Sequence, residues 1–160
     1  MMLIKTFPGD RFAGALESWQ WADLAGKEPA FASLFGDVFL RGPDGIWWLD
    51  TVGGECTLRW PSMEALSAEL NTEEGQQRYL LAGLAAELAR RGLTPDDEQV
   101  YDFTHPPALG GALDPDNVDV IDFVVGVNVA GQLHDQLRDL PPGTPIKGVT
   151  FDDGRLVVDY

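Results

Sequence analysis

The chain reads as an α+β fold, a single domain (residues 1–160) in which an antiparallel β-meander packs against several α-helices. Three observations predict it. Three runs with strand character, residues 35–41, 46–51 and 55–60, follow one another across "GPDG" and "VGG", turn chemistries that permit positive φ. Two capped amphipathic helices come directly after them. The length of 160 residues suits one core, and 44% hydrophobic with 23% charged residues are ordinary globular proportions.

Each element follows from its local pattern. In "DRFAGALESWQWADL" (residues 10–24), Phe12, Ala15, Leu16 and Trp19 fall on one helical stripe, with Asp10 as N-cap. Pro29 in "KEPAFAS" marks a connector, so residues 1–30 form an N-terminal helix and linker. In the first strand Phe35, Asp37, Phe39 and Arg41 share one face and Gly36, Val38 and Leu40 the other, so both faces carry apolar residues and some cover is expected on each. "SMEALSAELN" is a helix capped by Ser62. The helix "TEEGQQRYLLAGLAAELARRG" is capped by Thr72, with Glu73 and Glu74 in its first turn, Arg90 and Arg91 in its last, and Gly92 as terminator. Its apolar stripe is Leu80, Leu81, Leu84 and Leu88.

The second half alternates in the same way. "QVYDF" is a short strand, followed by a proline- and glycine-rich loop over residues 104–117, and loops of that length are functional or held by specific contacts. "VDVIDFVVGV" (residues 118–127) reads as a strand with a parity slip at Ile121. A helix beginning near Val129 has the stripe Val129, Ala130, Leu133, Leu137 and Leu140, with His134 on its rim, and "DLPPGTP" stops it. Residues 146–160 close the chain as a hairpin around Asp153-Gly154.

Charge limits the function. There are 26 Asp and Glu against 11 Lys and Arg, a net charge of −15. Phosphate backbones are held by clustered cations, and here the cations are scattered apart from Arg90-Arg91, which argues against nucleic acid and anionic membranes as partners. Such acidity either keeps the protein soluble or steers a basic partner toward it. Cys56 is the single cysteine, so no intrachain disulfide forms, and a reducing compartment is expected. The apolar run in "MMLIKTFPGD" is too short for a signal peptide, and no run reaches the ~20 residues of a membrane span. The expected location is the cytoplasm.

Catalytic patterns are missing. Neither a zinc motif nor GxSxG, a P-loop or GxGxxG occurs, and "GDRFAG" lacks the spacing of the last. In "DPDNVD", Asp114, Asp116 and Asp119 sketch a calcium loop, but Val118 stands where an oxygen ligand is required. Cys56 lies in a strand without an adjacent histidine. No catalytic residue, cofactor or metal is assigned. His105 and His134, the two imidazoles, are read with Gln132 and Gln136 as structural polar groups that tie neighbouring backbone together. Adjacent Trp47 and Trp48 point to opposite faces of their strand, so one of them is either covered by a helix or part of an exposed binding patch.

Four segments, taken in order, carry a resemblance. "LFGDVFLRGPDGIWWLDTVGGE", "TEEGQQRYLLAGLAAEL", "YDFTHPPALGG" and "VNVAGQLHDQLRDLPPG" resemble the C-terminal domain of type VI secretion DNase immunity proteins, over about residues 31–145. Founding members of that family neutralise a toxic DNase and carry no catalytic residues. Many members also have a preceding domain related to one in tRNA-dependent amidotransferases, for which the residues ahead of Phe31 are too few. The resemblance therefore implies binding rather than catalysis.

The expected function is that of a non-catalytic acidic protein binding a basic, nuclease-like toxin. Its contact residues are expected at strand ends and loops: Asp37, Asp44, Trp47, Asp50 and Glu55 on the meander, and Asp96, Asp97 and Glu98 before the long loop. Two alternatives stand beside it. One is a small-ligand or enzymatic pocket near Trp47 or Trp48, His105 and Gly110-Gly111, and the other is a homo-oligomeric scaffold.

Overall fold

The computed structural model describes residues 2–160 and has an α+β fold. A short strand β1 (Ile4–Lys5) precedes α1 (Gly9–Leu16), which continues as a 3₁₀ helix over Glu17–Ala22. Pro8, not Asp10, holds the cap position of α1. The helix expected over residues 10–24 is α-helical only in its first half, and the 3₁₀ half carries two tryptophans that reach a neighbouring helix. Trp19 and Trp21 stack at 5.4 Å, and their indole N–H groups donate to the carbonyls of Val127 (2.8 Å) and Gly131 (3.3 Å).

Strands β2 (Glu28–Ser33), β3 (Val38–Gly42), β4 (Gly45–Asp50) and β5 (Glu55–Trp60) join β1 in a five-stranded antiparallel sheet, ordered β1-β2-β3-β4-β5. Two boundaries differ from the sequence expectation. Residues 28–33 are a strand rather than a connector, because the register shifts between Pro29 and Phe31 and the bulge accommodates a residue without a ladder N–H. Strand β3 starts at Val38 rather than at residue 35, because Ser33 Oγ accepts from the N–H groups of Phe35 (3.1 Å) and Asp37 (3.2 Å) and closes a turn there.

Both sheet faces are covered. Val38, Leu40 and Leu49 pack with Phe12, Leu16, Trp19, Phe123 and Val127 on one side, and Phe39, Ile46 and Trp60 pack with Leu66, Tyr79 and Leu80 on the other. The second layer comes from α2 (Met63–Leu70) and α3 (Glu73–Leu80), each capped as predicted. Ser62 Oγ accepts from the Ala65 N–H at 3.1 Å and Thr72 Oγ1 from the Gly75 N–H at 3.0 Å. The single long helix predicted after Thr72 breaks at Leu81, which has φ 49°, and resumes as α4 (Ala82–Arg90). The break redirects Ala85 and Leu88 onto a separate cluster with Leu34, Phe35, Tyr101 and Phe103. Gly92, at φ 84°, ends α4 with bonds from Gly92 N–H to Ala89 O (3.0 Å) and Leu93 N–H to Leu88 O (2.9 Å).

Strands β6 (Gln99–Phe103) and β7 (Val118–Asp122) form an antiparallel ribbon, joined to the meander side by the Tyr101 N–H donating to Leu34 O at 2.7 Å. The strand expected to run to residue 127 stops at Asp122, whose carboxylate accepts from the Val125 N–H at 3.1 Å and starts α5 (Phe123–Leu137) well before Val129. Strands β8 (Gly148–Asp152) and β9 (Arg155–Asp159) form the C-terminal hairpin, with Asp153 (φ 49°) and Gly154 (φ 78°) at its turn.

Candidate functional site

Buried polar groups converge on the turn between β4 and β5. The Asp37 carboxylate, expected as a contact acid, is buried and accepts from the Thr51 N–H (2.8 Å) and the Thr51 hydroxyl (2.7 Å). Burial pushes Asp37 up to about 7, the charge of Asp50 adds to this, and the Thr51 and Ser33 hydrogen bonds oppose it. On the far side of the turn, His134 Nε2 lies 2.9 Å from the Thr51 carbonyl oxygen. A carbonyl only accepts, so Nε2 carries the hydrogen. Burial lowers the His134 pKa, against the Thr51 bond and the charge of Asp50.

His134 is thus not on a rim. Because α5 begins at Phe123, its inner face runs through Phe123, Val127, Gly131 and His134. Val129, Leu133 and Leu137 instead meet Leu156 and Val158 of the hairpin, and Leu140 lies beyond the helix. Two glutamines fasten that hairpin. Gln132 Oε1 accepts from the Leu156 N–H (2.9 Å), Gln136 Oε1 from the Val158 N–H (2.8 Å), and Gln136 Nε2 donates to Leu156 O (2.6 Å). The side chains stand in for a third strand against β9.

The tryptophan pair forms no exposed patch. Trp47 packs with the α1–α5 cluster beneath Lys27, whose Nζ is 4.1 Å from the ring, and Trp48 packs edge-on to Tyr79 at 4.9 Å on the opposite face. Both indole N–H groups are buried without a hydrogen-bond partner among the described residues. Gly110-Gly111 closes the long loop, where a Cβ on Gly111 would lie 1.7 Å from His105 O. The His105 imidazole is exposed, and it is the backbone of His105 that is tied, by Asn117 Oδ1 and Nδ2 at 2.9 Å each. The pocket expected from Trp47 or Trp48, His105 and the two glycines is therefore not assembled, since the tryptophans face the two cores.

The other expected contact acids occupy three places. Asp44 is exposed in the β3–β4 turn; Asp50 and Glu55 face each other in register at the opposite end of β4, Asp50 half-buried and Glu55 exposed. Asp96, Asp97 and Glu98 are exposed ahead of β6. That last group is braced from behind. Lys5 Nζ donates to the carbonyls of Asp96 and Gln99, Asp96 and Asp97 act on Lys5, and Glu98 and Asp10 act on Arg11, which pairs with Asp122 at 2.5 Å.

A cavity of about 820 Å³ lies between α5, the β6–β7 ribbon, the start of the long loop and the C-terminal hairpin. His105 and His134 both line it, with Val129, Leu133, Phe151 and Asp102. Asp102 escaped the sequence reading. It stands directly opposite Asp119 in the ribbon, and burial together with the Asp119 charge pushes it up to about 6. Its signal was available as the one acid inside the otherwise apolar "VYDF". Chemically the region offers binding groups rather than a nucleophile. Burial pushes the Cys56 thiol up to about 11, the Thr51 hydroxyl is committed to Asp37, and no group of three metal-ligating side chains occurs among the described residues.

No family model and no curated protein matches this chain. Among solved structures, that of Atu4351 from Agrobacterium tumefaciens is similar, with a TM-score of 0.58 at 18% identity, over 81% of this chain and 66% of that one. At that identity the likeness shows a shared fold. This chain spans slightly under two thirds of that neighbour's length.

Proposed function

We propose that this chain is a non-catalytic acidic binding protein that neutralises a basic protein by direct contact, a nuclease-like effector of type VI secretion being the expected partner. One observation carries the reading: most of the cations are engaged by a local partner, while most of the acids stand exposed without one. Among the described residues, five ion pairs engage only Asp122, Glu87, Asp116 and Asp135 of the acids. On the cationic side Arg11, Arg90, Arg91 and Arg138 are paired, Lys5 is held by carbonyls, and Lys27, Arg59 and Arg78 lie over Trp47, Trp48 and Tyr79. Eight of the eleven cations thus have a local partner among the described residues, Arg41, Lys147 and Arg155 being the others, and the net charge of −15 is carried mainly by exposed acids. A field of that sign raises association rates with a basic surface and complements its charge.

The resemblance to immunity proteins supports the same partner, and the braced group Asp96, Asp97 and Glu98 is the contact surface we favour. Mutual repulsion at a net charge of −15 weighs against a homo-oligomeric scaffold. No described helix is long and apolar enough to cross a membrane. We place the protein in the cytoplasm, where a lone thiol stays reduced. The test is co-expression with the basic nuclease-like product of an adjacent gene. Protection from that product, lost when Asp96, Asp97 and Glu98 are changed together to lysine, is the expected result; growth arrest despite wild-type protein contradicts it.

A further inference from the structure

The 820 Å³ cavity has the size of a small-molecule site and is walled on several sides, by α5, the β6–β7 ribbon and the C-terminal hairpin. Its walls are largely apolar, and two of the large hydrophobic side chains left exposed in the fold stand on it, Phe151 at 61% and Val125 at 50% exposure. The polar wall groups can be accounted for one by one. His134 and Thr51 are bonded to each other, the Thr51 hydroxyl is bonded to Asp37, the Tyr101 hydroxyl donates to Leu93 O at 2.7 Å, and the Thr104 hydroxyl is bonded to Asn117 Oδ1 at 2.9 Å. His105 and Lys147 are exposed at the cavity mouth, so neither is a desolvated group in need of a partner. Asp102 differs from all of these: it is half-buried, faces Asp119 across the ribbon, and has neither a hydrogen-bond donor nor a counter-ion among the described residues.

Two carboxylates opposite each other on one strand pair are unfavourable for the fold, and a half-buried carboxylate without a partner adds to the cost. A cation at Asp102, on the cavity wall, relieves both. We infer that this cavity binds a small amphipathic amine, its aliphatic or aromatic body against Val129, Leu133 and Phe151 and its ammonium group at Asp102. The concave shape favours a compact ligand over a flat protein surface. The inference does not depend on the toxin-binding reading, whose favoured acids, Asp96, Asp97 and Glu98, do not line this cavity.

The test titrates the full chain with n-octylammonium, n-octanol and n-octanoate, followed by calorimetry and by amide chemical shifts. One equivalent of n-octylammonium is expected to bind below about 1 mM, with the other two at least about tenfold weaker. Shifts should map to β6, α5 and the hairpin. Asp102→Asn and Phe151→Ala should each weaken n-octylammonium several-fold, Asp119→Asn less so, while Asp44→Asn, an equal charge change in a distant turn, should leave it unaltered. Circular dichroism establishes that each variant folds, and the exposed Phe151 provides a variant that does not touch the ribbon. Equal loss in Asp44→Asn, binding of many equivalents, equal affinity for n-octanol, or no binding would each overturn the inference.

Discussion

His134 Nε2 donates to the carbonyl oxygen of Thr51 at 2.9 Å across 83 residues of sequence, and this bond ties the inner face of α5 to the turn between β4 and β5. Replacing His134 by alanine orphans a buried carbonyl and opens space beside Trp19, whose ring centroid is 5.7 Å away. The expected cost is about 2–3 kcal/mol in urea unfolding, from a lost hydrogen bond plus a cavity. Affinity for a partner should hold wherever the variant remains folded.

Gly54 tests the same contact from the other side. Gly54 and Gly26 share φ 76°, but a Cβ on Gly54 would lie 2.3 Å from His134 Nδ1 whereas one on Gly26 meets nothing within 4 Å. Gly26→Ala is expected to cost about 1 kcal/mol, the strain of the backbone alone. Gly54→Ala should cost clearly more in the same unfolding measurement. Equal costs would mean that the imidazole gives way freely.

Asp37 makes stability depend on pH in a defined direction. Its folded value of about 7 lies above the ordinary 3.8, so the folded protein holds this proton more tightly than the unfolded chain does. Its contribution is full below about pH 4, declines as pH rises toward about 7, and is flat beyond. Asp102 acts with the same sign up to about 6, while His134, displaced downward, removes stability as pH falls below its ordinary 6.5. Asp37→Asn keeps an acceptor for Thr51 and removes the titration. The stability difference between wild type and this variant should therefore shift in favour of the variant between about pH 4 and 7.

The hairpin hangs on Gln132 and Gln136. Changing both to alanine frees the Leu156 and Val158 N–H groups, and hydrogen exchange there should accelerate while the five-stranded sheet keeps its protection. Uniform acceleration across the sheet would mean that the hairpin and the sheet unfold as one unit.

Local chemistry was legible from sequence, and distant partnership was not. Ser62, Thr72 and Gly92 announce helix ends because a cap is a contact between near neighbours, and β5 lies where its pattern places it. Leu81 is a good helix former held at φ 49°, so nothing local betrays the break between α3 and α4. The β-branched run in "VDVIDFVVGV" conceals a helix start whose one local signal is Asp122 as N-cap. Trp47 was an ambiguous surface candidate because its cover, α1 and α5, comes from both ends of the chain. Asp37 reads as an acid of the first strand open to a partner, yet it is buried and its carboxylate is taken by Thr51.

The decisive measurement is the affinity of the purified chain for the basic nuclease-like product of its neighbouring gene, at low and at high salt, together with that nuclease's DNA cleavage. Tight binding that abolishes cleavage, weakens by at least about tenfold at high salt, and is lost when Asp96, Asp97 and Glu98 become lysine is the result predicted. No complex at low salt, or a complex whose nuclease still cleaves DNA, would contradict neutralisation by an acidic binding surface.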